Sequence, residues 1–218
     1  MRDRASEIFR KIEEVKKKEN IDYDITVIGA SKMVDAEKIN LLPSLGINIV
    51  GENKVQELLD KYDKVNGLEW HFIGSLQTNK VKYIVDKVTL IHSVDRISLA
   101  DEIDKQARKI GKKVNVLVEV NVGREQSKSG VFPEDTPELL RYVAQKPNLN
   151  LRGVMGVFPI GASEELYEEL KSISDFAKEE YGADILSAGM SNDYEMAIKH
   201  GSNMVRIGSA LFGKRNYN

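Results

Sequence analysis

The 218-residue chain contains no cysteine. Disulfides, thiolate metal sites and cysteine nucleophiles are therefore excluded, and the absence suits a reducing cytosol. An excess of either charge is also missing: 32 Lys+Arg stand against 34 Asp+Glu, too even a balance to build a field that attracts nucleic acid or an anionic membrane. No basic stripe interleaves with aromatics. No apolar run approaches the roughly 20 residues that span a bilayer. Met1-Arg-Asp-Arg-Ala-Ser-Glu7 lacks the apolar segment of a signal peptide, so cytoplasmic residence is expected. His71, His92 and His200 are too scattered to suggest a metal site, and none is expected.

With 41% hydrophobic and 30% charged residues, the chain reads as an ordinary globular protein with enough apolar side chains for a real core. Ile8, Phe9, Ile12 and Val15 fall on one face of a helix over residues 5–19, which Asn20 stops. Strands then alternate with helices. The strands read as 25–30, 47–50, 68–73, 88–92, 114–122, 149–155, 185–187 and 204–207. Helices are expected over 35–42 and 54–62, around Val81, Ile84 and Val85, and along the stripe Ile97, Ala100, Ile103, Ala107 and Ile110. Further helices start at Thr136 (the cap, followed by Pro137), span 163–181, follow Ser191 and follow strand eight. No linker or low-complexity tract interrupts this pattern, which predicts one domain over 1–218: a (β/α)₈ TIM barrel with an additional N-terminal helix. An open doubly wound sheet is the alternative, but Ala30-Ser-Lys-Met33 lacks the glycines that cradle a dinucleotide.

The first strand, Ile25-Thr-Val-Ile-Gly-Ala-Ser-Lys32, ends on a lysine at the carboxyl edge of the barrel, where such folds keep their chemistry. A desolvated lysine there loses its proton and acts as a nucleophile; the plain reading is a lysine emerging into solvent. After strand seven, Ser191 reads as the N-cap of the next helix. After strand eight, Gly208 and Ser209 supply a close backbone approach, a hydroxyl and another helix start. Loops seven and eight are where barrels frequently bind phosphate; ordinary capping is the plain reading of either half alone. Arg206 alternates with Val205 and Ile207 and points into the barrel mouth, either to an ion pair with a carboxylate such as Glu119 or to a ligand. Lysine, anion loops and inward arginine together suggest pyridoxal 5′-phosphate (PLP), with its aldehyde to the amine, its phosphate to the helix starts and its ring nitrogen to the arginine. Lys128 in its polar loop is a candidate second anion contact or simply a solvated side chain. The triad residue types in His92-Ser-Val-Asp95 establish nothing without geometry.

The segments Ala30-Ser-Lys32, Gly51-Glu-Asn-Lys-Val-Gln-Glu57, Trp70-His-Phe-Ile-Gly74, His92-Ser-Val-Asp95, Ser127-Lys-Ser-Gly130, Gly189-Met-Ser191 and Met204-Val-Arg-Ile-Gly208 run through nearly the whole chain in one order. In them the sequence resembles the pyridoxal phosphate homeostasis protein family, a single-barrel relative of the N-terminal domain of alanine racemase. The resemblance implies Lys32 as the Schiff-base lysine, Asn53 near the cofactor, Ser191, Gly208 and Ser209 at the phosphate, and Arg206 at the pyridine nitrogen. Ser75 stands where the family has a histidine, and Met33-Val34 where Thr-Lys is commoner.

Two functions follow: a PLP carrier or buffer without efficient amino-acid turnover, or a small PLP-dependent racemase. Racemisation needs a second acid/base on the opposite face. The racemase family supplies it as a tyrosine from a further C-terminal domain, whereas this chain ends at Asn218 soon after strand eight. The carrier is therefore expected, with no catalytic residues. Its partners would be PLP and PLP-dependent apoenzymes, with neither nucleic acid nor membrane, and the chain is expected to be a monomer.

Overall fold

A computed structural model describes residues 1–213. Eight parallel strands close into a barrel in chain order: β1 (Thr26–Ala30), β2 (Ile49–Glu52), β3 (Glu69–Phe72), β4 (Leu90–Val94), β5 (Val114–Val120), β6 (Leu149–Gly156), β7 (Ile185–Ser187) and β8 (Met204–Ile207). Helix α1 (Arg2–Glu19) precedes them and ends at Asn20, whose left-handed backbone (φ 54°) stops the helix as the sequence suggests. Between and after the strands lie α2 (Ala36–Ile39), α3 (Val55–Tyr62), α4 (Ile97–Lys109), α5 (Thr136–Ala144), α6 (Glu164–Tyr181), α7 (Tyr194–Lys199) and α8 (Ser209–Phe212). This is the predicted barrel with its additional N-terminal helix.

Three local expectations are corrected. The segment after β3 is a 3₁₀ helix, Thr78–Tyr83, which ends before Ile84 and Val85. Thr136 does not cap α5: its hydroxyl donates to the Phe132 carbonyl, the donor direction opposite to that of an N-cap. Ser191 does not cap the helix that follows it. That helix starts at Tyr194 behind Asp193, and the serine oxygen is engaged elsewhere.

Alternation along the strands sorts side chains into two sets. Val27, Val50, Phe72, Ile91, Val118, Val154, Val205 and Ile207 face outward and join the helices in the main core. Ile28, Leu90, Leu117, Met155 and Met204 form a smaller cluster inside the barrel. The register of parallel strands carries this inward direction to other residues: Ile28 lies opposite Arg206 and Met155 opposite Ser187. His71, His92, Glu119, Ser187 and Arg206, each no more than 8% exposed, thus make a polar tier beside the apolar one.

The sheet is uneven around its circumference. β5 and β6 pair over most of their lengths, whereas β7 and β8 share the single register pair Ser187↔Met204. Backbone bonds from Ala188 N to Met204 O, Asn203 N to Leu186 O and Arg206 N to Gly189 O cross that seam, and side chains add to them. The buried Ser202 hydroxyl lies within hydrogen-bond distance of Leu186 O, Ala188 O, Met204 O and Ala188 N, and Asn203 Oδ1 accepts from Leu186 N.

Candidate functional site

Lys32 follows β1 in phase with the inward residues Ile28 and Ala30, so the strand delivers it to the barrel mouth. Two features fix its backbone. Behind it, the buried Ser31 donates its hydroxyl to Glu52 Oε1 at 2.9 Å. Ahead of it, Met33 has a left-handed backbone (φ 61°) and donates its N–H to Glu57 Oε2 at 2.8 Å. Glu52 is fully buried at the end of β2, where its Oε1 accepts from Lys61 Nζ at 2.6 Å and its Oε2 from Asn53 N at 2.8 Å. Lys61 Nζ also donates to Ser31 O and Glu57 Oε2. One buried carboxylate therefore ties the strand ends that carry Lys32 and Asn53 to each other. Gly74 completes the placement of Asn53, since a Cβ there would lie 2.2 Å from the Asn53 carbonyl oxygen.

Opposite, the loops after β7 and β8 meet. Gly189 (φ +93°) turns the chain where a Cβ would come within 2.8 Å of Ala197 and Tyr194, a position only glycine fills without strain. This turn brings Ser191 over the start of α8, where its oxygen accepts from Gly208 N at 3.2 Å and Ala210 N at 3.1 Å. Asp193 Oδ1 accepts from Met190 N at 2.7 Å and braces the same loop. The two loops thus form one unit with Gly208 and exposed Ser209 at its surface.

Arg206 lies between these halves, 4% exposed. Its Nη1 donates to Ser187 O and Ser187 Oγ, both at 2.8 Å, and its Nη2 to Gly156 O at 2.9 Å. All of these partners are neutral. The alternative of an ion pair with Glu119 is not realised, although the Glu119 carboxylate helps to hold the guanidinium charged. Burial pulls the Arg206 pKa down to about 10. Burial, followed by the Asp95 carboxylate, pushes Glu119 up to about 7.

Lys32, Asn53, Ser191, Arg206, Gly208 and Ser209 all line one cavity of about 590 Å³, to which Phe158, Ile160 and Tyr167 contribute from the β6 loop and α6. Its volume suits a small cofactor. Lys128 faces a separate space of about 250 Å³ with Glu119 and pairs with Glu125 at 2.5 Å. Ser75 is exposed and does not line the large cavity. Neither Glu52 nor the histidines behind Arg206 is singled out as a site residue by the sequence. The signal for Glu52 is its place inside Gly51-Glu-Asn53, a carboxylate on a buried strand with Lys61 nine residues on.

The family model of the alanine racemase N-terminal domain matches residues 26–216. A pyridoxal phosphate homeostasis protein of Aquifex aeolicus is 47% identical over 199 residues, covering 88% of this chain and 87% of that protein. Among solved structures, an unknown protein from Bifidobacterium adolescentis superposes with a TM-score of 0.88 at 28% identity, covering 97% of this chain and 94% of that one. PipY of Synechococcus elongatus PCC7942, solved with PLP bound, superposes with a TM-score of 0.78 at 27% identity over 93% of this chain and 100% of that one.

Proposed function

Because the chain belongs to the pyridoxal phosphate homeostasis proteins, within the alanine racemase N-terminal domain family, we propose that it holds PLP in the 590 Å³ cavity and serves to store and hand on that cofactor. The single observation that carries this reading is Arg206, a buried cation whose described partners are all neutral. A buried charge that bonds to no carboxylate is only partly compensated by the more distant Glu119 and Asp193 and is costly, and an electron-rich ligand in the cavity it lines offsets that cost. Lys32 and the paired loops of Ser191, Gly208 and Ser209 line the same space and fit the rest of such a ligand. When bound, the cofactor supplies an aldehyde that condenses with a lysine amine with loss of water.

In this reading Lys32 provides the amine. The hydroxyl and backbone N–H of Ser209, at the start of α8, donate to the phosphate, Gly208 lets the backbone come close to it, and Ser191, by accepting from Gly208 N and Ala210 N, sets the position of that start. Arg206, a donor only, approaches the ring nitrogen, and Asn53 orients the ring from β2. The chain works as a single-domain monomer in the cytoplasm, its recipients are PLP-dependent apoenzymes, and it does not turn over amino acids efficiently.

The test is borohydride reduction of the full-length chain incubated with PLP, followed by peptide mapping. Cofactor fixed to the Lys32 peptide, and lost in Lys32→Ala, supports the proposal. Equal fixation in Lys32→Ala overturns it.

A further inference from the structure

Behind Arg206, four buried side chains run in one hydrogen-bonded line across the barrel. Arg206 Nη1 donates to Ser187 Oγ at 2.8 Å, Ser187 Oγ lies 3.0 Å from His92 Nδ1, and His92 Nε2 lies 3.0 Å from His71 Nδ1. Ser187 and His92 have no exposure, and His71 has 4%. Donor counting sets the direction of the line. A guanidinium has no acceptor, so the serine oxygen accepts from it, and the serine's one hydrogen must serve another bond. Among the described residues its other partner is His92 Nδ1. A buried hydroxyl hydrogen left unpaired is costly, so His92 Nδ1 accepts it and carries no proton.

Both rings are neutral at physiological pH. Burial lowers the His71 pKa to about 4 and that of His92 well below its ordinary value, with His71 and then Arg206 adding to the burial effect on His92. A neutral His92 with a bare Nδ1 carries its hydrogen on Nε2 and donates to His71 Nδ1, which leaves His71 protonated on Nε2. One proton arrangement satisfies every bond in the line.

We propose that His92, backed by His71, is a positioning residue for Arg206. It takes the Ser187 hydroxyl hydrogen, so the serine oxygen is left to accept from the guanidinium, and it aims that charge into the cavity without neutralising it. A carboxylate at the Ser187 position would hold the arginine equally well but would cancel the charge the ligand needs. The proton arrangement stands on the hydrogen bonds alone. The consequence for a bound cofactor rests on the PLP reading above.

The test has two arms on the full-length chain. In the first, ¹⁵N-histidine NMR without cofactor is expected to show Nδ1 unprotonated and Nε2 protonated in both His71 and His92, unchanged between pH 7.5 and about 5.5. A proton on His92 Nδ1, or a charged ring in that range, overturns the inference whether or not the protein binds PLP. In the second, PLP is titrated into His92→Leu, His92→Gln and the control Leu117→Ala, which loosens the same barrel interior and leaves every member of the line in place. The expected result is about tenfold or more weaker binding and a displaced absorption band in His92→Leu. Glutamine, whose carbonyl accepts from serine while its amide donates to His71, should largely restore both, and Leu117→Ala should keep the wild-type band. Wild-type affinity and spectrum in His92→Leu, or the same displacement in Leu117→Ala, overturns the positioning role. Ser187→Ala serves in place of His92→Leu if the leucine variant does not fold. Wild-type protein that takes up no PLP would overturn the proposed function, and the first arm would still decide the proton arrangement.

Discussion

Glu52 Oε1 and Lys61 Nζ lie 2.6 Å apart with the carboxylate fully buried and the lysine 13% exposed, and this pair joins the strand end that carries Lys32 to the one that carries Asn53. Its worth is better judged by what is left after one partner is removed than by the attraction itself, because an uncompensated buried charge is the costly state. The Lys61→Met variant is expected to lose on the order of 3–5 kcal/mol of stability, with a smaller loss in the double variant Glu52→Gln/Lys61→Met. Urea denaturation of wild type, Glu52→Gln, Lys61→Met and the double variant measures this. A double variant as unstable as the sum of the singles would show that the charges are not coupled.

The phosphate loops separate two effects that a serine can have. Ser191 accepts from two N–H groups at the start of α8, so Ser191→Ala should cost about 1 kcal/mol of stability, as for a lost helix cap, and weaken PLP as well. Ser209 is exposed, so Ser209→Ala should leave stability within about 0.5 kcal/mol and weaken PLP about tenfold while barely changing pyridoxal, which lacks the anion. Thermal melts and paired titrations decide it; equal weakening of the two ligands would remove Ser209 from the phosphate site.

Glu119 gives a pH dependence whose sign is fixed. With its carboxyl pushed up to about 7 in the folded chain from an ordinary 4.5, the folded protein holds a proton that the unfolded chain has released, so this group makes stability fall as pH rises from about 4.5 to 7. Glu119→Gln removes the penalty and should gain on the order of 3 kcal/mol relative to wild type at pH 8, with little difference at pH 4. His71 acts in the opposite direction: its pKa is depressed to about 4, so its contribution is present above about 6.5 and is lost as pH falls towards 4. Unfolding curves across pH for wild type and Glu119→Gln test this, and a difference independent of pH would refute it.

Much of this was legible in the sequence because the period of apolar residues reports directly on strands, helices and the inward or outward sense of Arg206. Lys32 could be placed because a lysine ending a buried strand is visible as such. The role of Ser191 was misassigned because a serine ahead of a helix looks the same whether its oxygen turns to its own helix or to another 17 residues on. The line from His71 to Arg206 could not be read because its members sit on four different strands. Only barrel closure makes them neighbours.

Gly189→Ala tests the turn that carries Ser191. With φ at +93° and a Cβ driven to within 2.8 Å of Ala197 and Tyr194, the substitution should cost roughly 1–3 kcal/mol and weaken PLP through the displaced loop. Wild-type stability would show that the turn relaxes freely.

In deuterated water, exchange of the L-alanine α-proton by the PLP-loaded protein is expected to fall far below the 1–10³ s⁻¹ of ordinary enzymes. NMR integration measures it. Sustained exchange in that range, abolished by Lys32→Ala, would favour a racemase.

The seam between β7 and β8, with its single register pair and its patch of bonds from Ser202 and Asn203, also bears on how the barrel breathes. Local opening follows the least reinforced backbone, so the amides of residues 185–188 should trade hydrogen for deuterium before those of β5 and β6. Ser187 is in that stretch, and each brief parting of the seam would release the acceptor of Arg206. Ligand escape would then be sensitive to this seam, and loosening it at Ser202 should shorten the dwell time without altering any group that lines the cavity.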